Sequence, residues 1–581
     1  MQNVRVGRVA LAIGVMCSWC CSADVIVGVA SSMEAVFPKG PYAKAVTPAA
    51  EARLKLARGE HESLQLLVSC PAKDLRNVSV TASDLVRVRP WYAVWAADSI
   101  PSGCIDCDVV GYAWAEFPTN SRYSCSHSVC RRTETAPFYR RSATRAVDSW
   151  WPDPILDFLP AVDVARGDVQ SFWIRLHCPD GQAAGEYEGT LTVAAEGVAV
   201  VRLPFRVRVY GFSVPKASPL PLAITYSPMT HTRDHSAESK AAAERCAADP
   251  EGPVRQAKAR PLDWGDFLAD YYITFDSLYT HTNLNFEVLA RLKEQGRLGR
   301  FNLGYWSYFK DGADAEARWR AETLPRLKAN YAKAKELGIL DRAYAYGCDE
   351  VNTNYFDNIR KCVQILKEEL PGVPISTTAY DDEFGVGTQL DVMDWFTPLT
   401  PKFNVEKAAA SRRAGHQVWW YICCGPGNPW ANTFTQCPPL EARMLMGAQT
   451  VRMRPDGFLY YEISIWNAER PIDKGPYTDW VPRSYMTLNG DGCWTAVGPG
   501  GKPLPTLRLE NFRDGLEDYA YAKLLEERIA GRDDADMRVR KAKELLAVPR
   551  QVMDTMSNYT NDPAEIAAWR DAMAELIESL D

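Results

Sequence analysis

Two carboxylates stand side by side at Asp349-Glu350, where the run Ala343-Tyr344-Ala345-Tyr346-Gly347-Cys348 ends and a polar loop through Asn352 and Asn354 begins. A paired acid at the end of a buried strand suits general acid–base chemistry, and barrel enzymes carry their active sites at the carboxyl ends of the strands. Neighbouring side chains in a regular strand point to opposite faces, so both acids can serve one site only if the pleat breaks here. In a chain with 73 acidic residues an arbitrary Asp-Glu pair is a solvated turn. The meaning of this one depends on the elements that position it.

Those elements begin after Val214-Pro215-Lys216-Ala217-Ser218-Pro219, a Pro-rich linker that marks a domain boundary. Beyond it, short apolar runs alternate with longer amphipathic segments, the pattern of parallel strands covered by helices. The candidate strands are Leu222–Tyr226, Ile273–Phe275, Phe301–Tyr305, Arg342–Tyr346, Ile375–Ala379, Asp394–Thr397, Gln417–Ile422 and Gly457–Glu462. Eight of them predict a (β/α)8 TIM barrel with Asp349-Glu350 after the fourth. Ala315–Glu336 reads as a helix with Trp319, Leu324 and Leu327 inward and Gly338 as its stop. The same count places Tyr380-Asp381-Asp382, Cys423-Cys424-Gly425-Pro426 and Ile465-Trp466-Asn467 on the rim beside the acid pair.

Upstream, residues 24–214 alternate apolar and polar positions in short runs bounded by turns, as in Ser63–Ser69, Val78–Thr81, Ser171–Leu176 and Tyr187–Val193. Period two with regular turns predicts a β-sandwich. Downstream, residues 506–581 read as helical, with Leu524, Leu525, Ile529, Leu545 and Leu546 buried and the intervening charges forming an exposed, ion-paired face. The predicted division is therefore a leader at 1–23, a sandwich at 24–214, a barrel at 215–505 and a helical segment at 506–581.

The leader is read from Arg5 and Arg8, the apolar run Val9–Val15 and a small-residue cut after Ala23. It predicts export to the periplasm, cell surface or medium. A lipid anchor cut before Cys17, Cys20 or Cys21 fits less well, because the preceding positions hold bulky residues or another cysteine. The run is too short and interrupted for a membrane span, and no later segment qualifies. Net charge is −7, with Lys and Arg scattered rather than striped, which argues against nucleic acid as a partner. The 18 Trp and 26 Tyr suit carbohydrate stacking as well as core packing. Cys104-x2-Cys107 and Cys125-x4-Cys130, with His127 between the latter two, are expected to form disulfides in an exported chain, with a structural zinc site or free thiols as the alternatives. His231, His235 and His281 stand too isolated to ligate a metal, and no cofactor motif occurs, so no cofactor is expected.

Several blocks together resemble glycoside hydrolase family 123, the exported bacterial β-N-acetylgalactosaminidases. They are Arg58-Gly59-Glu60-His61-Glu62-Ser63-Leu64-Gln65, Ala184-Gly185-Glu186-Tyr187-Glu188-Gly189, Tyr346-Gly347-Cys348-Asp349-Glu350 and Trp419-Trp420-Tyr421-Ile422-Cys423-Cys424. Asp456-Gly457-Phe458-Leu459, Asn489-Gly490-Asp491-Gly492 and the block Arg508–Tyr519 complete the set, and the last is the most specific. The resemblance implies retaining hydrolysis of a terminal N-acetylhexosamine assisted by the substrate, whose 2-acetamido oxygen attacks its own anomeric carbon. It makes Glu350 the general acid and base, and Asp349 the acceptor of the acetamide N–H. Tyr380 is then a hydroxyl donor to the acetamide oxygen, while Trp420, Tyr421 and Trp466 pack the acetamide methyl or a sugar face. The chain departs from the family pattern at Cys493–Val497 and at Tyr460-Tyr461-Glu462, which bears on the preference between sugars.

Two other readings are compatible with the residues. A second carboxylate from Asp381, Asp382 or Glu462 would make a two-carboxylate glycosidase of other specificity. A non-catalytic surface protein that only presents aromatics to glycans is the alternative from another class.

Overall fold

The computed structural model describes residues 25–40, 42–88, 99–115, 149–230, 237–310, 312–427, 429–484 and 488–580. The leader, Cys125, His127, Cys130, His231 and His235 lie outside these residues. Cys104 and Cys107 carry free thiols.

The N-terminal half is β-rich. One antiparallel sheet runs in the order Ile26–Ser31, His61–Ser69, Val169–His177, Ile105–Ala115 and Ser149–Leu156. The other runs Ala52–Arg58, Val201–Ser213, Gly185–Ala194, Leu75–Ala82 and Val162–Val164, with its first pair parallel and the rest antiparallel. Leu64, Leu66, Phe172 and Ile174 from the first meet Leu54, Leu56, Phe205 and Val207 from the second in one core. The period-two alternation builds this layer, because every second side chain faces the opposite sheet.

The C-terminal half is α/β. Parallel strands pair in the order Phe301–Asn302, Ala343–Tyr346, Ile375–Thr377, Trp395–Phe396 and Gln417–Val418. The chain continues through Trp419 into Trp420–Ile422, which pairs with Phe458–Tyr460, and that strand pairs with Leu222–Ile224. One expectation needs correcting. Ile273–Phe275 forms no strand, so the ladder stays open between Leu222–Ile224 and Phe301–Asn302 rather than closing as an eight-stranded barrel. There the Tyr226 amide donates to the Asp276 carbonyl at 2.8 Å, and side chains supply further bonds. The Leu278 amide donates to Thr225 Oγ1 at 2.9 Å and the Asn302 amide donates to Asp276 Oδ1 at 2.9 Å. The helix Ala315–Glu336 spans the predicted residues and buries Trp319, Leu324 and Leu327, and Gly338 adopts φ +64° just past its end.

Strand parity sorts the side chains of this sheet. Ala343, Ala345, Val418, Trp420, Ile422, Phe458 and Tyr460 join the large outer core. Ala223, Tyr344, Tyr346, Trp395, Trp419, Tyr421 and Leu459 instead pack together with Leu278 as a separate inner cluster. Residues from successive strands touch one another across that inner face, so the sheet is curved around it.

The helix Leu507–Ile529 departs from the exposed face expected of it: Arg508, Glu510, Arg513, Asp514, Glu517 and Asp518 are all buried. They meet charges from the β-rich half. Arg443 bridges Asp518 at 2.7 Å and Glu62 at 3.0 Å, Arg508 pairs with Asp153 at 2.8 Å, and Arg175 pairs with Glu510 at 2.6 Å. The Arg58–Gln65 and Arg508–Tyr519 blocks are thus two sides of one internal charge network. Burial opposes the charge on Glu510, but Arg513, Arg175 and the Tyr271 hydroxyl outweigh it and hold its carboxyl down at about 2. Its depressed value means this stabilisation is present at neutral pH and is lost as pH falls from about 4.5 toward 2. Removing one partner leaves the others charged and buried. Arg443→Met is therefore expected to cost about 3–5 kcal/mol of unfolding free energy in urea titration, and a loss within error would mean the network contributes nothing to stability.

Candidate active site

Gly347 lets the chain turn after Ala343–Tyr346. A Cβ there would lie 2.1 Å from the Trp306 carbonyl oxygen and 2.5 Å from its ring, so no larger residue fits. Two non-glycine residues then adopt left-handed backbone, Cys348 at φ +53° and Glu350 at φ +50°. Each costs on the order of 1 kcal/mol and is held only where its surroundings enforce it. Here the Cys348 amide donates to the Trp306 carbonyl at 3.1 Å, Thr377 Oγ1 donates to the Cys348 carbonyl at 3.0 Å, and the Glu350 amide donates to Thr378 Oγ1 at 3.0 Å. The strand pleat is broken on both sides of Asp349, which lets adjacent acids work together.

Asp349 is half-buried over a floor of tyrosines. Its Oδ1 accepts from Tyr346 at 2.6 Å and from Thr378 at 2.8 Å, and its Oδ2 accepts from Tyr279 at 3.3 Å. The Asp349 amide donates to the Tyr305 hydroxyl at 3.4 Å. The rings of Tyr279, Tyr305 and Tyr346 lie 5.7–6.0 Å apart. Burial and the adjacent Asp349 push the Tyr279 and Tyr346 hydroxyls well above their ordinary range, so both remain protonated donors to the carboxylate.

Glu350 is exposed, at the open end of the same cluster. Its Oε1 accepts from the Tyr421 hydroxyl at 2.6 Å, and Tyr380 also hydrogen-bonds its carboxylate. Burial, then the bond to Glu350, raises the pKa of both phenols. Tyr380 is 53% exposed and reaches the site from the loop after Ile375–Thr377, where its amide donates to the Val351 carbonyl at 2.9 Å. Tyr421→Phe removes a charge-assisted bond worth about 1.5–3 kcal/mol. If that bond holds Glu350 for proton transfer, kcat is expected to fall roughly tenfold or more with KM little changed, whereas unaltered kcat would place Tyr421 outside the chemistry.

The structure therefore brings Asp349, Glu350, Tyr380 and Tyr421 together. It does not bring Trp420 or Trp466, and both expectations are corrected. Trp420 is the strand neighbour of Tyr421, so it points to the opposite face and packs against Phe403 in the outer core. Trp466 is fully buried against Trp264 and Tyr226, and its indole N–H donates to the Thr495 carbonyl at 2.9 Å. Tyr279, Tyr305, Tyr346 and Thr378 belong to the site although the sequence did not single them out. Tyr344-Ala345-Tyr346 carried a usable signal, since period two puts both tyrosines on one face and alanines on the other.

Two other acids near the rim, Asp381 and Glu462, are engaged elsewhere. Asp381 accepts from the Glu383 and Gly385 amides at 3.0 Å each and from Thr388 at 2.6 Å, which closes its own loop. Asp382 is exposed on that loop. Glu462 Oε1 accepts from the Ile463 and Ser464 amides at 2.8 Å each and from Ser464 Oγ at 2.6 Å, while burial pushes its carboxyl up to about 8. Cys423 packs against the inner cluster beside Tyr421, with its sulfur 3.8 Å from that of Cys424. Among the described residues no group of three or more His, Cys, Asp or Glu is arranged to hold a metal ion.

Comparison with known proteins matches residues 31–195 to the glycoside hydrolase 123 N-terminal domain and residues 304–525 to the glycoside hydrolase 123 catalytic domain. Among solved structures, the chain is similar to a family 123 glycoside hydrolase from Clostridium perfringens described for glycolipid glycan hydrolysis. That match has a TM-score of 0.62 and 14% identity over 96% of this chain and 98% of the other. A family 39 glycoside hydrolase from Bacteroides cellulosilyticus WH2 matches with a TM-score of 0.31 and 10% identity over 80% of this chain and 81% of its own. No curated protein matches the chain in sequence.

Proposed function

Because the chain belongs to glycoside hydrolase family 123, we propose that it removes terminal β-linked N-acetylgalactosamine from glycans, with retention and with the substrate's acetamide as nucleophile. The observation that supports this most is the pairing of Asp349 with Glu350 while Asp381 and Glu462 bind their own loops. A double displacement through the protein needs a second free carboxylate across the sugar. With Asp381 and Glu462 engaged and Asp382 exposed on the loop that Asp381 closes, the acetamide oxygen takes that role.

In this reading Asp349 accepts the acetamide N–H, which turns the carbonyl oxygen toward the anomeric carbon and balances the positive charge of the oxazolinium ion. Glu350 protonates the departing glycosidic oxygen. It then takes a proton from the water that opens the ring of the intermediate. Tyr421 fixes Glu350, and Tyr380, on the exposed side, donates to the acetamide oxygen in the intermediate. The same proposal takes the α/β half as a barrel-type catalytic unit at 215–505, flanked by the sandwich at 24–214 and the helical segment at 506–581. It also takes the chain as exported after cleavage of residues 1–23. No helix among the described residues is long and apolar enough to cross a membrane.

The test is release of aryl alcohol from aryl β-glycosides of N-acetylgalactosamine, N-acetylglucosamine and galactose. Turnover confined to the acetamido sugars, fastest for the galacto epimer, is the expected result. Cleavage of the plain galactoside would favour the two-carboxylate reading, and binding without turnover would favour a glycan-binding protein.

A further inference from the structure

Thr378 touches both acids. It is 2% exposed, its Oγ1 receives the Glu350 amide at 3.0 Å, and the same atom lies 2.8 Å from Asp349 Oδ1 and 2.9 Å from the Tyr346 hydroxyl. The protons can be assigned. Asp349 accepts only, and the Tyr346 hydroxyl at 2.6 Å is its shortest donor, so that proton points to Oδ1. Thr378 accepts the amide N–H on one lone pair and donates its own proton to Oδ1, the acceptor-only atom 2.8 Å away. One carboxylate oxygen is thus held by two hydroxyl donors, while among the described residues the other has only the longer 3.3 Å contact with Tyr279.

From this geometry we infer that Thr378 is a positioning residue that couples the two acids, fixing Asp349 so that Oδ2 is the oxygen that receives the acetamide N–H. The inference rests on the substrate-assisted reading above. Thr378 performs two tasks with one atom. As acceptor it captures the Glu350 amide and so holds the left-handed backbone that turns Glu350 into the site. As donor it locks the rotation of the Asp349 carboxylate about its Cβ–Cγ bond, and Oδ2 exchanges its weak Tyr279 contact for the substrate. Valine has nearly the shape of threonine but offers neither interaction, whereas serine keeps both.

The experiment measures kcat and KM for an aryl β-N-acetylgalactosaminide, and inhibition by a bicyclic thiazoline analogue of the oxazolinium intermediate, in wild type, Thr378→Val and Thr378→Ser. Free N-acetylgalactosamine serves as a ground-state ligand. Thr378→Val is expected to lose roughly thirtyfold or more in kcat, with KM and affinity for free sugar changed by less than about threefold. Thiazoline affinity should fall in parallel with kcat, and Thr378→Ser should keep both within about fivefold of wild type. A merely structural role would weaken all ligands alike and would not be rescued by serine. If Thr378→Val does not fold, Thr378→Ala, which removes the hydroxyl without branched bulk, carries the same expectation. Equal thiazoline affinity in wild type and the hydroxyl-less variant would overturn the positioning role while leaving substrate assistance intact. An active wild type indifferent to the thiazoline would overturn substrate assistance itself, and this role with it.

Discussion

Glu350→Ala is expected to lower turnover of an alkyl β-N-acetylgalactosaminide by about three orders of magnitude, the contribution of a well-placed general acid and base. The loss should depend on the leaving group. An alkoxide cannot depart without a proton, so its first step suffers most, whereas a nitrophenolate leaves with little help and exposes the second step, where Glu350 activates water. Azide ion needs no deprotonation. Added azide should therefore restore part of the nitrophenyl turnover and yield the β-glycosyl azide, identified by NMR. A variant with near wild-type turnover, or rescue yielding the α-azide, would remove Glu350 from this role.

Asp349→Asn should be nearly as damaging for a different reason. Asparagine preserves shape but removes the negative charge that faces the oxazolinium ion, and with its carbonyl oxygen kept at Oδ1 by Tyr346 and Thr378 its NH2 stands at the Oδ2 position, a donor opposed to Tyr279 and to the acetamide N–H. Burying opposed donors and losing a preorganised charge in a half-buried site costs about 3–4 kcal/mol in the transition state, or roughly a hundredfold to a thousandfold in kcat. Affinity for free sugar should change far less. Azide should not rescue this variant, because water activation is intact and ring closure is what fails. A drop confined to KM would show instead that Asp349 only binds the ground state.

The acid pair was legible because Ala343-Tyr344-Ala345-Tyr346 alternates cleanly and then stops at a glycine, after which two acids in a loop have little structural purpose. The break in the pleat was legible only as a requirement. That it is met by left-handed Cys348 and Glu350 depends on Trp306, which lies some forty residues earlier in sequence and crowds Gly347. The expectation for Trp420 fails on parity, since Tyr421 and its neighbour cannot face the same side of one strand. Trp466 follows its strand closely but turns into the Trp264 cluster, a contact between segments that no local pattern encodes. Ile273–Phe275 has the apolar character of a strand, yet Thr225 and Asp276 satisfy its neighbours' amides with side chains, and sequence spacing does not register that substitution. The helix Leu507–Ile529 misled in the opposite way. Its charges look solvated until Asp153 and Arg175 are brought against them from the β-rich half, and until Arg443 joins Asp518 to Glu62.

The measurement closest to the central claim uses aryl β-N-acetylgalactosaminides whose acetamide methyl carries none, one, two or three fluorines. Each fluorine withdraws electrons from the carbonyl oxygen and weakens it as a nucleophile while barely changing the shape of the substrate. If the substrate supplies its own nucleophile in the site formed by Asp349 and Glu350, kcat/KM falls steeply at every step of the series. A rate that is flat across the series would mean that the acetamide is a recognition group only, and that a protein carboxylate attacks the sugar.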